Sequence, residues 1–338
     1  MKKMTMRDIA TLAGVSKATV SRTIHSPQLV NQETREHIQQ IMAEHQYVYN
    51  VHAADFSRRR TAMIGLIIPT VRSSIHAEVI HGIQQKLRET DLVLIIGHTE
   101  YNLNMELKFL NLFHQRRLAG IILTGINPQS ADWVKTATKS GVPCVITWET
   151  VDDDQISYVG FDNFKAAFSI TQYLVSLGHT RIGLIMGPFQ KAERVKQRFN
   201  GYRAVLEKSG IAFDPELAIE KEPTLVDGKE AMSRLLALAN RPTAVFAASD
   251  VLAMGALTAI KEKGLRVPED ISLAGFDDID FAAYCDPPLT TVKVPAFEIG
   301  QLAVRVLLEL AENSPDYACQ YCLDTQLIIR DSCRPPNT

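Results

Sequence analysis

Over residues 5 to 46 the apolar positions recur every three or four places, the spacing of short amphipathic helices. Thr5 precedes MRDIATLA with an acidic residue three places on, Gly14 ends that run, and Ser16 precedes KATVSRTI; both starts carry N-cap chemistry. A third helix is expected over 34–45, where Ile38, Ile41 and Met42 share a face. Ile9, Leu12, Val15, Val20, Ile24, Val30, Ile38, Ile41 and Met42 are the expected core of this small unit. From Met63 the pattern changes to short, continuous apolar runs at 62–68, 92–96, 119–124, 142–147, 181–186, 243–248 and 271–276. Amphipathic stretches such as 76–89, 102–116, 163–177, 195–209 and 250–263 separate them. That alternation predicts parallel sheets covered by helices on both faces. Seven or more such strands over about 270 residues fit two α/β lobes better than one. A strand leads into a helix near VGFDN (159–163), the halfway break, with Asn163 as its expected cap.

The chain of 338 residues suits two or three domains. Its 46% apolar and 22% charged residues are globular values, and no apolar run approaches the roughly 18 residues needed to span a bilayer. No membrane partner is expected. In MKKMTMRDIATLAGVS the apolar residues are interrupted by Arg7, Asp8 and Thr11, so no signal-peptide core forms and a cytoplasmic location is expected. Five cysteines, an odd number, agree with reduced thiols. Cys319 and Cys322 form a lone CxxC without the two further ligands zinc needs, so no metal is expected.

Charge is divided unevenly. Residues 1–61 hold nine Lys or Arg against five Asp or Glu, while the remainder holds 27 against 33. A basic N-terminal segment on an acidic body points to local contact with a polyanion. Catalysis is not expected: the strand at 62–68 runs into PTVRSSIHAEV with neither GxGxxG nor GxxxxGK, no Ser-His-Asp set is visible, and no cofactor is implied.

The N-terminal string MRDIATLAGVSKATVSRTI, followed by VNQETREHIQQIMAEHQYVYN, strongly resembles the DNA-binding end of the lactose and galactose repressor (LacI/GalR) family. LVSLGHTRIGLI, RFNGYRAVL, SDVLAMGALTAIKEKGLRVPEDISLAGFDD and PPLTTVKVPAFEIGQLAVRVL resemble its core, so the likeness covers almost the whole chain. It implies an all-α helix-turn-helix DNA-binding domain (1–48), a hinge helix and linker (49–61), and an α/β periplasmic-binding-protein-like core of two doubly wound parallel-sheet lobes (62–331), then a tail (332–338). It also implies that each lobe is discontinuous: 62–160 with 294–319, and 161–291 with 320–331.

In such a motif the second helix, here about 17–24, enters the major groove. The resemblance places Lys17, Ala18 and Arg22 at base edges: Arg and Lys donate to guanine, and Ala offers an apolar contact to a thymine methyl. Thr5, Ser16, Thr19, Ser21, Asn31 and Thr34 fall to phosphate contacts, which fix register. Asn50, Ala53 and Phe56 belong to the hinge that enters the minor groove, where the family's wedge is a leucine and this chain has Phe56; Phe is also able to unstack a base step. Tyr49 replaces a usual proline, and Arg58, Arg59 and Arg60 stand opposite the repulsion expected of Asp55.

For the core the resemblance implies an effector cleft between the lobes. Arg198 matches an arginine that binds ligand oxygens through its forked donors, and Asp277 matches an acceptor for sugar hydroxyls. Ser249 stands where Asn is usual, His76 where many members have an aromatic, and Trp148 where Asp is common, with an apolar face suited to a sugar ring. Arg72, His76 and Arg198 together suggest an anionic ligand such as a sugar acid or sugar phosphate. The implied function is a repressor binding double-stranded DNA at a pseudo-palindromic operator as a homodimer, with a sugar-like effector. The effector acts as inducer, or alternatively as corepressor, or the protein also activates; a sugar-binding protein without a regulatory role is the remoter alternative.

Overall fold

A computed structural model describes residues 4–47, 61–313 and 317–337 of the chain. Contacts divide it into two units, residues 1–61 and 62–338.

In the first unit three helices follow their caps. Thr5 and Asp8 close a reciprocal capping box at the start of α1 (Met6–Leu12), the Ser16 side chain accepts from the Thr19 N–H at the start of α2 (Lys17–His25), and Asn31 accepts from the Glu33 N–H before α3 (Gln32–Glu44). The third helix thus starts two residues before the expected Thr34, because Asn31 supplies the cap. Ile9, Ala10, Ala13, Val20, Ile38 and Ile41 form the core, with Met4, Met6, Val15, Ile24, Met42 and Tyr47 packed around it. Leu12, expected inside, is half exposed: at about 100° per residue the face set by Ile9, Ala10 and Ala13 leaves it on the flank of α1. Val30 is only partly buried and lies outside this cluster.

The second unit carries a six-stranded parallel sheet in the order β11-β5-β4-β3-β1-β2 and a four-stranded parallel sheet β7-β6-β8-β9. The first contains β1 (Met63–Ile68), β2 (Val93–His98), β3 (Gly120–Thr124), β4 (Cys144–Thr147), β5 (Tyr158–Phe161) and β11 (Gln320–Leu323); the second contains β6 (Ile182–Met186), β7 (Ala218–Glu220), β8 (Ala244–Ala247) and β9 (Ser272–Ala274). A short antiparallel pair, β10 (Thr291–Lys293) with β12 (Gln326–Ile328), adjoins the second sheet through a bridge from Thr290 to Ala274. Helices α4 (Ser74–Leu87), α5 (Leu103–Gln115), α6 (Pro128–Lys139) and α11 (Ala296–Glu312) accompany the first sheet; α7 (Asn163–Ser176), α8 (Glu193–Lys208), α9 (Leu225–Leu236) and α10 (Asp250–Glu262) accompany the second.

The apolar runs are continuous because the first sheet is buried on both faces. Ile64, Leu66, Ile68, Ile122 and Val145 enter one apolar cluster, whereas Ile67, Ile121, Leu123, Cys144 and Ile146 enter another. Helices α4 and α11 cross so closely that a Cβ at Gly82 would lie 2.1 Å from the Phe297 carbonyl oxygen, and one at Gly300 2.3 Å from that of Val79. The edge strand β2 departs from this pattern, with Val93, Ile95 and Ile96 exposed.

The chain passes between the lobes three times: after β5, after β10 and after β11. Residues 320–323 pair with β5, so the last crossing falls after Leu323 and not at 319–320. Segment 332–337, expected as a tail, is built into the second lobe: Ser332 is buried, its hydroxyl donates to the Leu273 carbonyl, and its own carbonyl accepts from the Leu273 N–H. Asn163 is not the cap of α7; Asp162 accepts from the Lys165 N–H instead, and Asn163 becomes the first helical residue, free to bond elsewhere. Among the described residues no helix is long and apolar enough to cross a membrane.

Candidate functional sites

On the first unit, Lys17, Ala18 and Arg22 are all exposed along α2. The expected phosphate-binding residues occupy helix starts: Thr5 and Ser16 are exposed caps, Ser16 Oγ lies 2.9 Å from Thr19 Oγ1, and Asn31 is the exposed cap of α3. At such positions backbone N–H groups point outward, which favours an anion nearby. Ser21 and Thr34 are partly buried. Asn50, Ala53 and Phe56, like Tyr49, Asp55 and Arg58 to Arg60, lie outside the described residues.

The second unit gathers polar groups just past the C-terminal ends of its parallel strands, where open α/β sheets place their ligands. His76 follows β1, Tyr101 follows β2, Gly125 ends β3, Trp148 and Glu149 follow β4, Asn163 follows β5, Arg194 and Arg198 follow β6, Ala248 and Ser249 follow β8, and Asp277 follows β9. Both sheets contribute, so the residues line the space between the lobes.

Arg198 is the centre on the second lobe. It is buried, its Nε donates to Asn163 Oδ1 at 2.9 Å, its Nη1 donates to the Ala248 carbonyl at 2.8 Å, and its guanidinium stacks 3.8 Å from the Phe276 ring centroid. Burial lowers its pKa to about 10 although Asp277 opposes this. Burial raises the Asp277 carboxyl to about 7 against the pull of Arg198 and Arg194. Asp277 and Asp278 have φ of 111° and 54°, a strained turn for residues with a Cβ. Asp250 holds that turn: its Oδ2 accepts from the Ile279 N–H at 2.9 Å and its Oδ1 from Thr291 Oγ1 at 2.7 Å. Ser249 uses its oxygen to cap α10, accepting from the Leu252 N–H at 3.3 Å.

On the first lobe, Trp148 (φ 83°) meets His76 edge-on at 5.8 Å and Phe161 at 5.9 Å, and its carbonyl accepts from Asn163 Nδ2 at 3.0 Å. Asn163 therefore bridges Trp148 to Arg198 across the lobes. His76 Nδ1 lies 2.8 Å from the Thr70 carbonyl, which only accepts, so Nδ1 carries the proton and Nε2 is the lone-pair atom. Burial lowers its pKa to about 4, the Thr70 bond opposing and Arg194 reinforcing. His76 is thus neutral near pH 7 and adds no positive charge. Arg72 sits exposed on the loop after β1, its N–H bonded to Thr70 Oγ1. Of the trio that suggested an anionic ligand, only Arg198 is a buried cation.

Sequence reasoning missed four members, Tyr101, Gly125, Glu149 and Arg194. Arg194 lies one helical turn before Arg198 on α8 and is buried; it reaches the first lobe, where a Cβ at Gly125 (φ +76°) would lie 2.4 Å from its Nη1, and its guanidinium lies 6.0 Å from the Tyr101 ring. Glu149 is 1% exposed, and its Oε1 accepts from the Ile126 N–H at 2.5 Å. Burial raises its carboxyl, Arg194 opposing. The loop carrying Gly125 and Ile126 is held by Glu106, which accepts from Asn127 Nδ2 at 2.9 Å and from Ser130 Oγ. The i, i+4 spacing of Arg194 and Arg198 was the available signal.

One end of the polypeptide thus exposes a helix, and the other brings buried charged and aromatic side chains of two lobes together, the division of labour of a ligand-responsive DNA-binding regulator. Residues 5–50 match the model of bacterial regulatory proteins of the lacI family, and residues 171–333 match that of the periplasmic binding protein-like domain. The chain is 35% identical over 330 residues to the HTH-type transcriptional repressor CytR of Escherichia coli strain K12, covering 98% of this chain and 96% of that protein. Its structure is similar to the lac repressor dimer bound to operator and the anti-inducer ONPF, with a TM-score of 0.86, 27% identity, and coverage of 98% and 100%. It is also similar to the transcriptional regulator CelR in complex with cellobiose, with a TM-score of 0.72, 29% identity, and coverage of 97% and 99%. The chain belongs to the lacI family of bacterial regulatory proteins.

Proposed function

We propose that this chain is a cytoplasmic, non-catalytic repressor that binds a pseudo-palindromic operator as a homodimer and releases or tightens that grip when a small, sugar-like effector enters the cleft. The observation that carries the reading is the convergence of Arg198, Asp277, Trp148 and His76 between the two lobes, on a chain whose other unit exposes Lys17, Ala18 and Arg22. A neutral His76 and an exposed Arg72 remove two of the three cations that suggested an anion, which favours an uncharged polar ligand over a sugar acid or phosphate. Arg198 and Asp277 are its polar contacts, Trp148 a flat apolar wall, and Ser249 chiefly the cap that sets the floor.

A dimer is supported by the apolar row Val93, Ile95 and Ile96 left open on β2, an edge that a second copy would cover. The likeness to the operator-bound lac repressor dimer adds to this. Replacing Ile95 and Ile96 with Lys is expected to give a monomer by light scattering and to remove cooperative two-half-site binding; an unchanged dimer would reject this face.

The test of the whole reading is selection of bound fragments from genomic DNA with the full-length chain, followed by titration of the recovered operator with neutral sugars, sugar acids and sugar phosphates. A two-fold-related site whose affinity shifts with one compound is expected, and the sign of the shift separates inducer from corepressor. Sequence-independent binding, or turnover of a compound, would overturn it.

A further inference from the structure

Glu149 Oε2 is, among the described residues, the one buried side-chain oxygen or nitrogen with no hydrogen-bond partner. A buried carboxylate oxygen left in this state is costly, and such groups call for an explanation. It is not loose: Oε1 is tied to the Ile126 N–H, and the Glu149 backbone presses on Gly160 so closely that a Cβ there would lie 2.2 Å from the Glu149 carbonyl oxygen. The Arg194 guanidinium comes from the other lobe to the same place. The point where Gly125 would carry a Cβ is 2.4 Å from Arg194 Nη1 and 3.4 Å from Glu149 Oε1. Yet the two charges form no ion pair, and Arg194 has the Tyr101 ring beside it with no hydrogen-bond acceptor on its guanidinium among the described residues. A buried acceptor and a buried donor thus stand open toward one another's neighbourhood, one on each lobe.

We infer that Glu149 and Arg194 are specificity-determining contacts for the effector, which presents to them, on neighbouring atoms of an uncharged group, a hydrogen-bond donor and an acceptor. The inference rests on the reading of the cleft as the effector site and adds the ligand chemistry. A pair of adjacent hydroxyls has this pattern, and so does an N–H beside a carbonyl. An anionic group would lie against Glu149, and a cationic group against Arg194. Because Glu149 belongs to the first lobe and Arg194 to the second, a group bound to both ties the lobes together. That makes recognition and closure one event.

The experiment uses the full-length chain, with calorimetric and thermal-shift titration against neutral pentoses and hexoses, the corresponding sugar acids and phosphates, and nucleosides. An uncharged member is expected to bind, the sugar and nucleoside arms deciding between the diol and the amide edge. E149Q and R194M are each expected to weaken that ligand by about 10- to 100-fold, the usual effect of losing one hydrogen bond to a charged group. Without ligand, E149Q is expected to melt no lower than the parent, since Gln keeps an oxygen for Ile126 and burial already disfavours the charge it removes. A lower melting point would make Glu149 a structural residue and overturn the assignment. Binding by both variants within twofold of the parent, while R198M abolishes it, would also overturn it and leave the cleft reading intact. If R198M binds as tightly as the parent, the cleft reading itself falls. Stabilisation by charged compounds alone, or by no uncharged member of the panel, would overturn the ligand class.

Discussion

His76 makes the acid side of the stability curve a measurable consequence of the cleft. Its pKa falls from an ordinary 6.5 to about 4 because the ring is buried against Trp148 and Arg194 repels a second proton. At about 1.4 kcal/mol per pH unit this difference amounts to roughly 3 kcal/mol. Well above pH 6.5, near pH 8, neither folded nor unfolded chain carries the proton, so the contribution is complete. As pH falls toward 4 the unfolded chain takes the proton first, and stability is lost until the folded state also protonates. H76Q keeps a donor for the Thr70 carbonyl but cannot titrate. Urea unfolding of the parent and H76Q from pH 8 to pH 4 at fixed ionic strength should give curves that converge or cross by roughly 3 kcal/mol across that window. The difference curve isolates His76, because the raised carboxyls of Asp277 and Glu149 remain in both proteins and act in the opposite direction. A flat difference curve, or an imidazole titrating near 6.5 by NMR in the folded protein, would refute the reasoning.

Asp277, raised to about 7, contributes stability that is complete below about pH 4 and lost as pH rises through 7; D277N should therefore flatten the neutral limb of the unfolding profile while weakening effector binding, and an unaltered limb would contradict the buried carboxyl. Arg22→Ala should cost about 1–3 kcal/mol on the preferred operator and relax one base-pair preference, whereas equal loss on all DNA sequences in gel shifts would leave Arg22 with phosphate alone. G125A places a Cβ at φ +76° and 2.4 Å from Arg194 Nη1. A destabilisation of about 1 kcal/mol from the left-handed backbone and a loss of effector affinity are expected by calorimetry, and retained affinity would show that Arg194 has no place against the first lobe.

Local patterns carried the helices of the DNA-binding unit and the strands of both sheets, because caps and continuous apolar runs are properties of short stretches. Leu12 shows the limit: an apolar residue near a helix end is inside or outside according to the rotation set by its neighbours, here Ile9, Ala10 and Ala13. Strand β11 shows another. Gln320 to Leu323 alternate in exposure at the edge of a sheet whose other strands lie at least 150 residues earlier, and no local pattern says which sheet such a segment joins. The integration of Ser332 through Leu273 was hidden for the same reason.

The site was legible in inverse proportion to how far its partners lie apart in the chain. Arg198 and Asp277 stand in strings that resemble the family core, and both prove to be buried, with Arg198 also ordered by Asn163 and Ala248. Arg194 carries no such string, and its meaning depends on what faces it: Gly125, Tyr101 and Glu149 come from three loops of the opposite lobe, 45 to 93 residues away. One topological rule would have found all four. In parallel sheets the ligand lies past the C-terminal strand ends, so the first residues after each apolar run are the candidates, whatever their type. Applied to the strands ending at 98, 124, 147 and 186, with the first turn of the following helix included, that rule collects Tyr101, Gly125, Trp148, Glu149 and Arg194 together. The physical reason is that strands and helices fix where those loops converge, while the loops remain free to vary their chemistry, and in this chain that chemistry is an acceptor on one lobe facing a donor on the other.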